Sequence, residues 1–384
     1  MKKTAFFTDE RTFWHSVGQY ILEFKVGGWV QPPSGASHAE SPESKRRLKN
    51  LIIASGLHEE LAIETAKPLT KEQVALVHTE SYLNEFKRVS DLGGGDLSAP
   101  HNLDTPIGPG TYDIALLSAG LATQAVRDVY TGRFKNAYAL SRPPGHHATS
   151  DQAIGFCYLN NIAVAIENVK KELGLKRVAI IDWDVHHGNG QQDIYYNSED
   201  VLTISLHQDM CYPNDYVFNG ASQSSTLEAR GENAGTGYNM NLPFFPGAGH
   251  DAYLYAMEKV IAPAIRDFKP EMIIVACGFD ANAFDPLGRI LLHSDSFRLL
   301  TREVIKLADE VCEGKVVYTH EGGYAESYVP FCGMAVMEEL SGIKTEVEDP
   351  MLGYFIQQQP NARFNDMQNA EIDRWAEFFA QKTS

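Results

Sequence analysis

Nowhere in its 384 residues does this chain stay apolar for the length of a membrane span, nor does it carry a CxxC pair or an excess of basic charge. Each absence excludes a class of protein. Its five cysteines, Cys157, Cys211, Cys277, Cys312 and Cys332, are odd in number and irregularly spaced. That argues against a disulfide framework and for a reducing compartment, with each thiol read first as a small buried hydrophobe. Lys and Arg number 33 against 50 Asp and Glu, a formal charge of −17, which is the wrong sign for a nucleic-acid binder. The one basic run, Lys45-Arg46-Arg47 with Lys49, reads as a helix face. The acidic excess favours cationic or neutral substrates and also keeps a protein soluble. The first ten residues lack the apolar core of a secretory signal, so a cytoplasmic protein without membrane or direct nucleic-acid partner is expected.

What is present is ordinary for a soluble globular protein: 43% hydrophobic and 22% charged residues, without repeats or low-complexity linkers. The length suits one large α/β domain over residues 1–384. Apolar, β-branched runs at 137–140, 177–181, 201–206, 272–277 and 315–319 read as buried strands. Amphipathic patterns at 160–173, 251–268 and 295–311 read as helices. Their alternation implies a mostly parallel sheet covered on both faces. Two segments, 27–42 and 209–237, are rich in loop-forming residues; each is either a pocket rim or a variable surface excursion.

The polar residues follow the strands. After 178–181 comes Asp182-Trp183-Asp184-Val185-His186-His187-Gly188-Asn189-Gly190, and after 272–277 comes Gly278-Phe279-Asp280. The run 137–140 leads to Arg142-Pro143-Pro144-Gly145-His146-His147, and 315–319 leads to Glu321-Gly322-Gly323-Tyr324. Ligands bind at the carboxyl ends of strands in open α/β sheets, so four such endings point to one crevice. In an extended backbone Asp182, Asp184 and His186 share a face. Taken alone, DxDxH also suits helix caps and turns. At a buried strand end, two carboxylates and an imidazole are costly unless paired or metal-bound.

Asp184, His186 and Asp280 therefore read as three ligands of a catalytic zinc with an open position, although Fe(II) or Co(II) suits the same donors. His146 and His147 would move protons, with Asp182 and Asn189 as candidate acceptors fixing their tautomers. Tyr324, on a Gly-Gly turn, suits an oxyanion donor. Together these residues describe hydrolysis of an amide or ester at a metal.

At these positions the sequence resembles the zinc-dependent histone deacetylase family. The matching segments are RPPGHHA (142–148), GFCYLNNIAVA (155–165), DWDVHHGNG (182–190), ISLHQ (204–208), GFDANAFDPLGR (278–289) and EGGY (321–324). The resemblance spans roughly residues 35–345; Asn189 and the DWDVHHGNG wording resemble the class II branch, and the chain as a whole resembles bacterial deacetylase-like amidohydrolases. It implies an arginase/deacetylase fold: a single α/β domain whose mostly parallel sheet of about eight strands is flanked by helices. The tail, 346–384, is expected to be helical.

By that resemblance Asp184, His186 and Asp280 would hold Zn2+. His147 would be general base and acid backed by Asn189, His146 an electrostatic partner held by Asp182, and Tyr324 the oxyanion donor. Gly155, Phe156 and Tyr212 would shape an acyl-lysine tunnel. The family also implies K+ at Asp182, Asp184, His186, Ser205 and Leu206, and a second K+ near Tyr195, Ser198, Val201 and Tyr238. Asp104 resembles a rim carboxylate, and Arg47 would line an acetate-release pocket. Two departures stand out: Ser41-Pro42-Glu43 replaces a family His-Pro-Glu, and Leu287 stands where polyamine-specific relatives carry an acidic gatekeeper. The expected activity is removal of acetyl or other short acyl groups from lysine-like amines. Acetylpolyamine hydrolysis and a non-catalytic acyl-lysine binder are the alternatives, and a homo-oligomer is compatible with the sequence.

Overall fold

In a computed structural model of the chain, which describes residues 3–17, 20–21, 24–25, 38–97, 105–213 and 224–381, all five of those apolar runs are strands of one sheet. The sheet has eight strands: β1 (Ala5–Phe7), β2 (Ala62–Glu64), β3 (Ala137–Ala139), β4 (Val178–Asp182), β5 (Val201–Gln208), β6 (Asn239–Phe244), β7 (Met272–Cys277) and β8 (Val316–His320). Their spatial order is β6-β5-β4-β7-β8-β3-β1-β2, and every neighbouring pair is parallel. This is the mostly parallel single-domain architecture that the alternating pattern implies.

The central strands are apolar throughout because both faces are covered; every residue of β4, β7 and β8 is buried. On one face Phe6, Ile181, Leu206, Val275 and Tyr318 join a large cluster with the helices at Ser294–Val311 and Val329–Ser341. On the other, Phe7, Ile180, Ile274 and Val317 pack against the helices Thr111–Tyr130 and Asn161–Leu173. The second of these helices is fixed at both ends. Asn160 accepts the Ala163 amide through its side chain at 3.0 Å, and Gly174 takes a left-handed φ of 75° as C-cap.

Three strands carry weak sequence signals. β1 and β2 are three residues long, and β6 contains Pro243, which an edge strand tolerates because one side of its backbone needs no ladder partner. The pattern at 251–268 is helical but contains a π turn, Met257–Ile261, followed by Pro263. Helices at Leu352–Gln357 and Ala362–Ala380 occupy the tail. Most of the loop at 27–42, and 214–223 of the second loop, lie outside the described residues. Among the described residues no helix is long and apolar enough to cross a membrane.

The order of the strands decides where a site can form. From β4 the chain moves outward through β5 to β6, then returns to place β7 on the opposite side of β4 and continues to β8. The β4–β7 boundary is thus a switch point, where the loops leaving the strand ends diverge and open a crevice.

Candidate active site

Asp182 ends β4, in register with Ala276 of β7 and Ser205 of β5. The segments that follow β4 and β7 bring Asp184, His186 and Asp280 together, each offering a ligand atom within 4.8 Å of the others. His186 Nδ1 lies 3.0 Å from Asp184 Oδ1 and 3.1 Å from Asp280 Oδ2. Backbone amides orient the carboxylates: Gly322 N–H donates to Asp184 Oδ2 at 2.8 Å and Val185 N–H to Asp280 Oδ1 at 2.7 Å. A Cβ at Gly278 or Gly322 would run into these carboxylates, so glycine is what lets the neighbouring strand ends close on them.

The cluster sets two carboxylates against one imidazole. All three residues are buried, and among the described residues neither carboxylate has a Lys or Arg within ion-pair distance. Burial and the Asp184 charge push the Asp280 carboxyl up to about 6. A buried donor set of two carboxylates and one imidazole, with no Lys or Arg beside it among the described residues, fits a divalent metal. With three protein ligands it leaves coordination positions open, unlike a closed structural site.

His146, Cys157 and Glu321 also present ligand-type atoms within 4.8 Å of one another. Their capacity is largely committed. Glu321 Oε2 accepts the amides of Gly145 (2.7 Å) and His146 (3.1 Å), and His146 Nδ1 is bonded to Asp182. Burial pushes the Cys157 thiol well up, away from the thiolate a metal needs. None of the three lines the cavity described below, whereas His186 does. This second cluster holds the histidine segment in place.

The two adjacent histidines sit in opposed environments, their rings 3.9 Å apart. His146 Nδ1 is 3.0 Å from Asp182 Oδ2, and its Nε2 is 3.7 Å from Asp184 Oδ2. Burial alone would lower its pKa, but the Asp184 and Asp182 carboxylates outweigh it and raise the imidazole to about 10. His147 goes the other way: burial, then the positive His146 and His186, hold it well below the ordinary value. Its Nδ1 faces Asn189 Oδ1 at 2.7 Å. An amide oxygen can only accept, so Nδ1 carries the proton and Nε2 keeps a lone pair. One histidine is a cation and its neighbour a base. Such divergence marks acid–base chemistry.

A cavity of about 410 Å3 opens onto these groups, lined by His147, Gly155, Phe156, His186, Cys211, Tyr212, Pro286, Leu287, Arg289 and Tyr324. The Tyr212 ring lies 5.4 Å from that of His147, and Phe156 meets Tyr324 edge-on at 5.8 Å. Gly155 has φ 52°, and a Cβ there would lie 2.5 Å from His147 Cδ2 and 2.8 Å from Tyr212 Cε1. The glycine is required by both conformation and contact. Phe156 itself holds φ 65°, a conformation that turns the chain at the cavity wall. Burial keeps the Tyr324 phenol well above its ordinary pKa, so its O–H remains a donor.

The structure thus brings together His146, His147, Asp182, Asp184, His186, Asn189, Asp280 and Tyr324, with Gly155, Phe156, Tyr212 and Leu287 on the adjoining cavity. Asp104 lies outside the described residues. Arg47 is a correction. Its side chain is 54% exposed on the outer face of the helix Glu43–Ala54, where it faces Glu43, so it lines no buried pocket. The inward positions of that segment belong to Lys45 and Glu40, which pair at 3.2 Å, with Arg142 held by the same Glu40. The K+ candidates stay grouped. Ser205, opposite Asp182, accepts the Gly188 amide at 3.2 Å and precedes Leu206. Tyr195, Ser198, Val201 and Tyr238 gather at the start of β5, where Tyr238 O accepts the Thr203 amide at 3.0 Å.

Two residues inside the quoted motifs escaped the sequence reading. Asp285 accepts the amides of Tyr324 (2.8 Å), Ala325 (3.2 Å) and Leu287 (2.9 Å), tying the tyrosine turn to the cavity wall. Glu321 does the same for Gly145 and His146. Neither has a local signal, because the amides they receive come mostly from distant segments; their only mark was acidity in an otherwise apolar or glycine-rich stretch.

The family profile described as histone deacetylase domain matches residues 38–340. A histone deacetylase-like amidohydrolase of Pseudomonas aeruginosa is 53% identical over 378 residues, covering 98% of this chain and 96% of the relative. A probable deacetylase of Archaeoglobus fulgidus is 34% identical over 326 residues, covering 83% and 87%. The crystal structure of the HDA15 HD domain superposes with a TM-score of 0.78 at 31% identity, covering 97% of this chain and all of that one.

Proposed function

Because the chain belongs to the histone deacetylase family, we propose that it is a zinc-dependent amidohydrolase removing acetyl or other short acyl groups from lysine-like amines. The observation that carries this reading is the pair of histidines driven apart in pKa beside a buried Asp184/His186/Asp280 cluster at the base of an aromatic-walled cavity. Asp184, His186 and Asp280 would hold the zinc, which when bound polarises an acyl carbonyl and brings a coordinated water to a pKa of about 7.

The chain's own groups supply the remainder. His147 Nε2 takes the proton of the attacking water while its Nδ1–H stays on Asn189. The His146 cation, held by Asp182, stabilises negative charge as it grows on the acyl oxygen. The Tyr324 O–H donates to the same oxygen. His147 then returns its proton to the departing amine, which leaves neutral. Phe156 and Tyr212 provide apolar walls for a lysine-like methylene stem, and Leu287 offers no carboxylate to a second ammonium, which favours acyl-lysine over acylated polyamine. K+ would occupy the oxygen-rich ends around Asp182, Asp184, His186, Ser205 and Leu206, with a second site near Tyr195, Ser198, Val201 and Tyr238.

The test is acetate release from an acetyl-lysine peptide by zinc-loaded protein, compared with His147→Ala and Tyr324→Phe. Turnover at least a hundredfold above both variants is expected; wild type no faster than the variants would refute the reading.

A further inference from the structure

Arg289 is a charged side chain on a cavity whose other described lining is aromatic, aliphatic, histidine and cysteine. Asp184 and His186 are buried beyond it at the base, whereas Arg289 is exposed, which places it at the outer end. Elsewhere the arginines of this protein are mostly matched. Arg142 pairs with Glu40, Arg266 with Glu310 and Arg302 with Glu339, while Arg177 and Arg230 lie over Phe268 and Phe378. Among the described residues Arg289 has no carboxylate within ion-pair distance. Its Nη1 donates instead to two neutral carbonyls of its own loop, Pro286 O at 3.1 Å and Gly288 O at 2.5 Å.

Those bonds orient the guanidinium without neutralising it. The backbone beneath is fixed as well: Arg289 N–H donates to Gln208 Oε1 at 2.6 Å, and its carbonyl accepts the Gly247 amide at 2.7 Å. The preceding residues are pinned by Asp285, which accepts Leu287 N–H at 2.9 Å. The result is a preoriented planar donor whose Nη2 and Nε are free of such loop bonds, at the entrance of a cavity in a chain of net charge −17. The acidic field acts over a Debye length of about 10 Å at 0.1 M salt, so recognition of an anion here must come from this local contact.

We propose that Arg289 forms a carboxylate-binding subsite at the cavity mouth, selecting acylated amines that bear a carboxylate on the amine side of the scissile bond. The inference rests on the amidohydrolase reading above. It places the acyl carbonyl at the base, the methylene stem between Phe156 and Tyr212, and a substrate carboxylate in a two-pronged contact with Arg289. That carboxylate is either an acidic side chain next to the acyl-lysine or the α-carboxylate of a free N6-acyl amino acid. A polyamine, cationic at its far end, would instead meet like charge.

The experiment uses acetyl-lysine peptides identical except for Glu, Gln or Lys beside the acetyl-lysine, together with N6-acetyl-lysine as free acid and as amide. We expect kcat/KM to rank Glu over Gln over Lys by roughly three- to tenfold per step, mostly in KM and fading at high salt. Arg289→Gln should flatten the ratios, Arg289→Glu should invert them, and Arg289→Lys should retain part of them. A larger acid-over-amide ratio for the single amino acid than for the peptides identifies the α-carboxylate as the ligand; the reverse identifies the flanking side chain. Ratios near one in the wild type, or ratios unchanged by Arg289→Gln and Arg289→Glu, overturn the proposal. If no acetyl substrate is turned over, the amidohydrolase reading fails. The Arg289 subsite is then decided separately, by the ratio of Kd values for labelled Glu and Gln peptides in wild type and Arg289→Gln.

Discussion

Replacing Gly155 by alanine adds one methyl group and should silence the enzyme far more than it unfolds it. Gly155 sits at φ 52°, and the new Cβ would stand 2.5 Å from His147 Cδ2 where an ordinary contact begins near 3.4 Å. The imidazole must therefore retreat by about 0.9 Å, and Tyr212, 2.8 Å from the same methyl, blocks one direction of relaxation. A displacement of about 1 Å in a catalytic group costs on the order of a hundredfold in rate. The left-handed backbone adds about 1–2 kcal/mol of strain, which in a chain of 384 residues lowers Tm by only a few degrees. Gly174 is the control. It has φ 75°, but its added Cβ meets nothing within 4 Å, so Gly174→Ala carries the strain without the contact. The assay is kcat/KM on an acetyl-lysine peptide beside a thermal melt for both variants. Expected are similar small losses of Tm, with about a hundredfold loss of activity only in Gly155→Ala. Full activity in that variant, or equal losses in both, would refute the claim that Gly155 sets the position of His147.

Tyr324→Phe keeps the ring against Phe156 and the backbone bond to Asp285 but removes the donor, so kcat should fall about 10²–10³-fold with KM little changed. A KM effect alone would assign Tyr324 to substrate binding. Chelation should abolish turnover and lower Tm, because Asp184 and Asp280 then lose the metal that binds both; added zinc should restore both in wild type, and restoration in Asp280→Ala would contradict the ligand assignment. His78 tests the core at low pH. Burial lowers its pKa to about 4, and its Nε2 accepts the Asn160 amide at 2.9 Å, so the folded state keeps it neutral. Its contribution is intact above the unfolded value of about 6.5 and is lost as pH falls toward 4, up to about 3 kcal/mol. His78→Gln, which can still accept that amide, should flatten the fall in Tm between pH 6.5 and 4; an unchanged slope would exclude His78 as its source.

How much of this was legible beforehand differs residue by residue. Asp184 and His186 could be read together because side chains two apart in an extended segment share a face. The apolar runs that became β3, β4, β5, β7 and β8 were visible because a strand buried on both faces has no polar side to interrupt it. β1 and β2 were too short to stand out, and the helices at Thr111–Tyr130 and Val329–Ser341 are so thoroughly buried that little amphipathic contrast remains. The resemblance carries Arg47 to a buried pocket, but a matched motif does not say which helix face packs inward, and the packing of Glu43–Ala54 turns Lys45 and Leu48 inward and Arg47 outward.

By itself the sequence determined the chemistry on offer: which strands end in carboxylates and imidazoles, and that glycines accompany them. Those are local properties, carried by period, apolarity and residue type. Only the tertiary structure decided the partnerships: that Asp280 meets Asp184 across the β4–β7 boundary, that His146 bonds to Asp182 while His147 bonds to Asn189, and that Arg289 faces the cavity without an acidic neighbour among the described residues. These depend on strand order and on burial, which set distance and dielectric between residues far apart in the chain, and no short window of sequence contains either.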